Sequence, residues 1–258
     1  MKKWLFLLIL TKPLLGLYMG NPSAPQIIEE GFFFCKENWF AVKAGYQRDW
    51  VFDRNMKAVS KLSGRLDTFE YIADQGVLTV NLIDRIEVYG SAGAARISAS
   101  NRPSGTGARQ EYQTYDQFMW GVGLRGNFYD WKGLSFGIDG CYQRAQPNIK
   151  WITSNGALIN PRAGSRVVFY EWQIGLGASY QIDMFIPYIG AKWSDAGATF
   201  KHLPSEFLPT GRHFKTKNRR KFGMVVGTTL SSGNRFAATV EARLIDEQSI
   251  TLAADIKF

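Results

Sequence analysis

The final ten residues, Ser249 to Phe258, alternate without a break. Ile250, Leu252, Ala254, Ile256 and Phe258 fall on one face, and Ser249, Thr251, Ala253, Asp255 and Lys257 on the other. Successive side chains of a strand point to opposite faces, so this pattern predicts a strand with one apolar and one wet side. About ten residues is also the length a tilted strand needs to cross a bilayer. The feature constrains the whole fold because it recurs. Val168, Tyr170, Trp172, Ile174, Leu176, Ala178, Tyr180 and Ile182 oppose Glu171, Gln173, Gly175, Gly177, Ser179 and Gln181. Phe118, Trp120, Val122 and Leu124 oppose Met119, Gly121, Gly123 and Arg125, and Leu134, Phe136, Ile138 and Tyr142 oppose Ser135, Gly137, Asp139, Cys141 and Gln143. Phe236, Ala238, Val240, Ala242 and Leu244 oppose Arg235, Thr239, Glu241 and Arg243.

Further runs begin at Phe40, Leu78, Ile86 and Phe222, with turns expected at Ile83-Asp84-Arg85, Asp130 to Gly133 and Ser231 to Asn234. About ten strands are expected. Eight or twelve also fit, because Val51 to Ala73 is ambiguous, and Phe185 to Ser194 alternates too poorly to assign its facing. An even number suits a bacterial single-chain barrel. Phe200 to Lys217 reads as a long outer loop, ending in the basic run Lys215 to Lys221; a solvated loop base explains that run better than a polyanion site.

The smaller face decides the environment. Gly121, Gly123, Gly137, Gly175 and Gly177 cannot fill the hydrophobic centre of a small soluble barrel. The apolar face is bulky and aromatic at its ends, as a lipid-facing band with girdles would be, and Tyr129, Trp131, Tyr180 and Phe185 are girdle candidates. A two-sheet sandwich would alternate similarly, but in lipid only a closed sheet leaves no unpaired edge. The expected fold is all-β: a transmembrane, antiparallel, up-and-down β-barrel.

Lys2 and Lys3 precede two short apolar runs broken at Lys12-Pro13, the layout of an export signal. Residues 1–16 are read as that signal with a cut between 16 and 20, residues 17–38 as an N-terminal periplasmic segment, and 39–258 as the barrel. The mean hydropathy of −0.18 is too low for a helical membrane protein and fits a barrel diluted by lumen residues. The net charge is +9, or +6 once Lys2, Lys3 and Lys12 leave with the signal. No clustered aromatic-basic motif accompanies it, so nucleic acid is not an expected partner. Cys35 and Cys141 are the only cysteines; they could form one bridge, though nothing in the sequence pairs them.

Several strings resemble the chlamydial major outer membrane porin family, in family order: Gly20-Asn21-Pro22-Ser23-Ala24-Pro25, Ala44-Gly45-Tyr46 with Val51-Phe52-Asp53-Arg54, Asn81-Leu82-Ile83-Asp84-Arg85, Met184 to Gly190, Val226-Gly227-Thr228-Thr229, and Val240 to Glu247. The resemblance covers most of residues 17 to 258. It implies an integral outer-membrane barrel that acts as a general diffusion porin and as a structural part of the envelope. It also implies assembly by the outer-membrane barrel machinery, with Phe258 as the assembly signal, contact with lipid and lipopolysaccharide, and homotrimerisation as an open expectation. Family members are longer and richer in cysteine, so this chain reads as a compact version in which a disulfide-linked coat is doubtful.

In a porin the lining charges set selectivity. By alternation the lining set is Lys43, Glu87, Arg125, Asp139, Glu171, Arg235, Glu241, Arg243, Asp255 and Lys257; its five basic and five acidic members argue for no strong ion preference. Structural ion pairs bracing the wall are an equal reading, and a non-conducting structural or adhesive barrel is the alternative function. No catalytic, cofactor or metal site is expected. His202 and His213, with Asp195, Glu206 and Ser205 nearby in sequence, are the only residues from which a rim hydrolase could be built, and their pattern is not that of a catalytic set.

Overall fold

A computed structural model describes residues 18–34, 38–60, 65–103, 107–204 and 213–258. Among these, the short helix α1 (Ala24–Ile27) is followed by strands β1 (Phe40–Arg54), β2 (Met56–Ala58), β3 (Arg65–Leu82), β4 (Ile86–Arg102), β5 (Gln110–Thr114), β6 (Gln117–Trp131), β7 (Leu134–Ala145) and β8 (Ile149–Ser154). Then come β9 (Ala157–Ile159), β10 (Arg166–Tyr180), β11 (Phe185–Lys201), β12 (His213–Asn218), β13 (Phe222–Ser231), β14 (Phe236–Leu244) and β15 (Glu247–Lys257). No helix among the described residues is long and apolar enough to cross a membrane. The crossing elements are strands.

Ten of the strands close an antiparallel barrel in the order β3-β1-β15-β14-β13-β11-β10-β7-β6-β4, and β4 returns to β3. The first and last strands meet with Lys43 opposite Lys257 and Tyr46 opposite Ala254. Closure removes the unpaired edges that an open sheet would present. At one end the connections are tight. Ile83 and Asp84 have φ of 48° and 50°, and Lys132 and Gly133 have 47° and 84°. Positive φ at both central residues twists a two-residue hairpin in the sense of its strands. By barrel convention this end is periplasmic.

The apolar set faces outward. Leu124, Leu176 and Leu252 are 55%, 55% and 43% exposed, whereas Glu171 and Glu241 on the alternate face are 0% exposed. A continuous apolar belt of this extent has no place in water and fits acyl chains. Tyr129, Trp131, Tyr180 and Phe185 rim it at the tight-turn end, and Trp120, Tyr170, Trp193 and Phe222 rim it at the other.

The ambiguous stretch resolves into three elements. Val51 to Arg54 finish β1, Met56–Ala58 form β2, and β3 opens at Arg65. The β1–β3 ladder stops at Val51 opposite Tyr71, because β2 leaves β3 and pairs with β12 instead. The expected loop from Phe200 to Lys217 is shorter than the sequence implies. β11 runs through Lys201, and His213–Asn218 form β12, paired to β11 with Phe200 opposite Phe214. Part of the basic run is therefore strand: Lys215 and Lys217 point out while Phe214 and Thr216 point in.

Above the belt β4, β5, β8, β10, β11, β12 and β2 form a crown whose sidedness is reversed. Its interior is an apolar cluster that includes Phe69, Tyr71, Tyr112, Met119, Phe169, Phe200 and Phe214. Its exterior carries Glu111, Lys215 and Lys217. A wholly polar interior, the expectation from alternation, is thus wrong for this part of the molecule. Once strands clear the lipid their outer face meets water, and apolar side chains are stabilised by turning inward.

Candidate functional site

The lumen gathers the charged residues of the inner face. Lys43, Glu87, Arg125, Asp139, Glu171, Glu241, Arg243, Asp255 and Lys257 all lie on it, most of them fully buried. Arg235 does not. It closes the Ser231–Arg235 turn with φ of 56°, one residue before β14 begins, and its guanidinium lies 4.7 Å from the Phe32 ring at the periplasmic mouth.

Two charged tiers result. In the lower one Lys43 pairs with Glu87, and Arg125 lies 3.3 Å from Glu87 and 3.6 Å from Asp139. Tyr89 donates to Asp139 at 2.8 Å. The upper tier is built largely from residues that the sequence reading did not assign. Arg54 pairs with Glu171 at 2.7 Å and with Glu247, and Lys192 pairs with Glu247 and with Asp246 at 3.3 Å. Ser194 donates to Asp246 at 2.6 Å, and Arg243 bridges Asp49 at 3.1 Å and Glu241 at 3.4 Å. Burial pushes the Asp246 carboxyl above the usual range, against the pull of Arg54. Arg54 sat in the ambiguous stretch and Lys192 in the poorly alternating one. Their only signal was a charge inside an otherwise strand-like run.

The segment placed by sequence as periplasmic is inside the barrel from Tyr18 to Ile28, with Glu29 and Glu30 exposed at the mouth. Glu241 accepts the amides of Met19 at 2.9 Å and Gly20 at 2.8 Å, and Arg125 donates to the Met19 carbonyl at 3.0 Å. Asn21 donates to the Ile186 carbonyl at 3.1 Å, and Ser179 to the Ser23 hydroxyl at 3.1 Å. Lys43 donates to the Ala24 carbonyl at 2.8 Å, Asn81 to that of Pro25 at 2.6 Å, and Lys257 to those of Ile28 and Glu29 at 3.0 Å each. A backbone with few partners of its own enters because the wall supplies them.

The wall glycines make the room. A Cβ on Gly175 would come 2.5 Å from Met19 Sδ, and one on Gly177 would come 2.7 Å from Pro22 Cγ. The cavity left beside this segment, lined by Tyr18, Lys43, Glu87, Tyr89, Arg125 and Asp255 among others, measures about 40 Å³. That holds a few water molecules and no hydrated solute.

Elsewhere, the His202 and His213 rings lie 5.9 Å apart, and Asp195 pairs with Lys221 at 2.9 Å. Ser205, Glu206 and Cys35 fall outside the described residues, as does the expected export signal; Cys141 is a free thiol.

The model of the Chlamydia major outer membrane protein family matches residues 154–202 and 211–258. The major outer membrane porin of Chlamydia abortus is 23% identical over 369 residues, covering 94% of this chain and 95% of that protein. That of Chlamydia trachomatis serovar D is 24% identical, with 94% and 95% covered. An alignment of 369 residues against a chain of 258 means that the relatives carry substantial insertions. Among solved structures, the outer membrane protease OmpT of Escherichia coli is similar with a TM-score of 0.40 and 11% identity, covering 84% of this chain and 92% of that one. The outer membrane protein OprG of Pseudomonas aeruginosa gives 0.38 and 10%, with 90% and 99% covered. Resemblance to these porins over nearly the whole length, in both directions, joins the strand pattern and the closed barrel in one conclusion: this chain is similar to the chlamydial major outer membrane proteins.

Proposed function

We propose that this protein is a porin, integral to the outer membrane and a structural part of it, through which small hydrophilic solutes diffuse passively. The observation that carries the reading is the sidedness of the membrane-spanning barrel. A lipid-compatible belt surrounds an inner face of paired charges and small polar groups, which is what an aqueous path through a bilayer requires. Both signs are present in each tier, so weak ion selectivity is expected. The function is non-enzymatic on this reading: the two histidines face each other at the rim, and the nearby Asp195 is held by Lys221.

Lipid and lipopolysaccharide surround the belt in this reading, and the barrel assembly machinery inserts it with Phe258 as part of the signal. Phe258 donates its amide to the Val42 carbonyl at 3.0 Å, tying the last residue to the first strand. Trimerisation remains a further proposal, carried by family resemblance. Single-channel conductance of folded protein in a planar bilayer tests the function, and discrete steps are expected. Complete silence, across voltages and with the lumen segment released, would instead leave a non-conducting structural barrel, the reading that the filled lumen favours.

A further inference from the structure

We propose that Tyr18 to Glu30 is a displaceable plug that gates the lumen, and that the outer end of the path is the seam between β2 and β3. The inference rests on the porin reading and adds to it a closed state and its moving part. The plug is distinguished from the wall by its bonding. Apart from one isolated parallel bridge, Glu30 to Asn234, it joins no ladder of the sheet, and its upper part is held by side chains. It can leave without breaking a single strand pair of the barrel.

The wall is shaped to receive it. Gly175, Gly177 and Gly190 all approach Met19, and Gly137 and Gly177 approach Pro22. Glycine weakens a strand interior and is found where something comes close to the backbone. The groups that hold the plug are Glu241, Arg125, Lys43, Asn81 and Lys257. All are polar, so a vacated lumen hydrates rather than collapses. A tether remains at the mouth, where Phe34 donates its amide to the Phe258 carbonyl at 3.1 Å and the Phe32 and Phe258 rings lie 6.4 Å apart.

At the outer end the crown's apolar cluster blocks the axis, and the blocking side chains belong to paired strands. Among the described residues the crown ladder is open between β9 and β10 and between β2 and β3. β2 pairs with β12 and not with β3, which leaves a cleft of about 710 Å³ lined by Asp53, Lys57, Asp67 and Phe69 with Arg54 at its base. Arg54 belongs to the upper charged tier, so the cleft leads toward the lumen charges along the edge of the apolar cluster, whose Met56, Leu66 and Phe69 form part of its wall.

The test locks the plug by a disulfide between Ser23→Cys and Ser179→Cys, whose hydroxyl oxygens are 3.1 Å apart, in a background carrying Cys35→Ser and Cys141→Ser. Conductance is recorded oxidised and after reduction, alongside a variant lacking residues 18–28. Reduction is expected to raise open probability at least tenfold, and the shortened variant to stay open. Equal conductance of locked and reduced protein would overturn the plug while leaving the porin reading intact. Silence of both the reduced and the shortened proteins would overturn the porin reading itself. The cysteine pair keeps every plug residue, so the comparison survives if the shortened variant does not fold. A bulky thiol reagent on Lys57→Cys should at least halve the current of the reduced channel; undiminished current would remove the seam from the path.

Discussion

Glu241 on β14 accepts the backbone amide of Met19 at 2.9 Å, across a sequence separation of 222 residues, and its second oxygen takes the next amide, of Gly20. Hydrogen bonds to a charged acceptor contribute about 1.5–3 kcal/mol each. Glu241→Gln removes the charge and one acceptor while keeping the shape. The displaced population of the plug should rise about tenfold, since 1.4 kcal/mol is a factor of ten. Labelling of a Ser23→Cys thiol by a water-soluble reagent measures this, and an unchanged labelling rate would show that Glu241 does not hold the segment.

Gly177→Leu tests the socket from the other side. Its side chain would occupy the space of Pro22 and Met19, whose atoms lie 2.7 and 2.8 Å from the position of an added Cβ. Leucine suits a strand at least as well as glycine, so the barrel should fold while the plug is expelled and its thiol label becomes fast. Gly137→Leu should be worse tolerated, because an added Cβ there also meets the Gly126 carbonyl at 2.9 Å, part of the wall itself. A folded yield equal for the two variants would contradict this distinction.

Arg54 is fully buried and pairs with both Glu171 and Glu247. Arg54→Met leaves two carboxylates without their shared cation, and breaking a buried pair on one side costs about 3–5 kcal/mol. The urea midpoint of the detergent-folded barrel should fall accordingly. A midpoint within experimental error of the parent would mean that Lys192 and Arg243 suffice to neutralise the tier.

The belt predicts a depth dependence. Leu176 points to lipid midway along β10, and Tyr180 ends that strand at the tight-turn rim. Arginine at the midplane costs about 2–4 kcal/mol and near the interface about 0–1 kcal/mol. Leu176→Arg should therefore fold into vesicles far less well than Tyr180→Arg. Similar folded fractions would place the membrane elsewhere on the barrel.

The barrel was legible because lipid and lumen impose opposite demands on neighbouring residues, and that conflict writes a period of two into β6, β7, β10, β14 and β15. Legibility failed where the conflict relaxes. In the crown, Val167 and Phe169 are as apolar as Val168, which alternation placed outward, so the reversed sidedness showed only in the packing of Phe69 on Phe169. Arg235 was misplaced because a strand and its turn share residues at their junction, and only its left-handed φ separates it from β14. Lys192 sits in a stretch where Pro187 and Gly190 dilute the alternation, yet it faces inward with Ile186 and Tyr188. The plug left no local trace. Gly20-Asn21-Pro22-Ser23 reads as solvated chain, and its partners lie scattered from Lys43 to Lys257. The wall glycines were visible as too small for a core, though what they accommodate was not.

Lys257, next to the last residue of the chain, grips the carbonyls of Ile28 and Glu29. The earliest described part of the polypeptide therefore docks fully only when the latest has arrived, which makes sealing the circumference and stoppering the bore one event. On the plug proposal, a barrel matured this way would enter the envelope already shut.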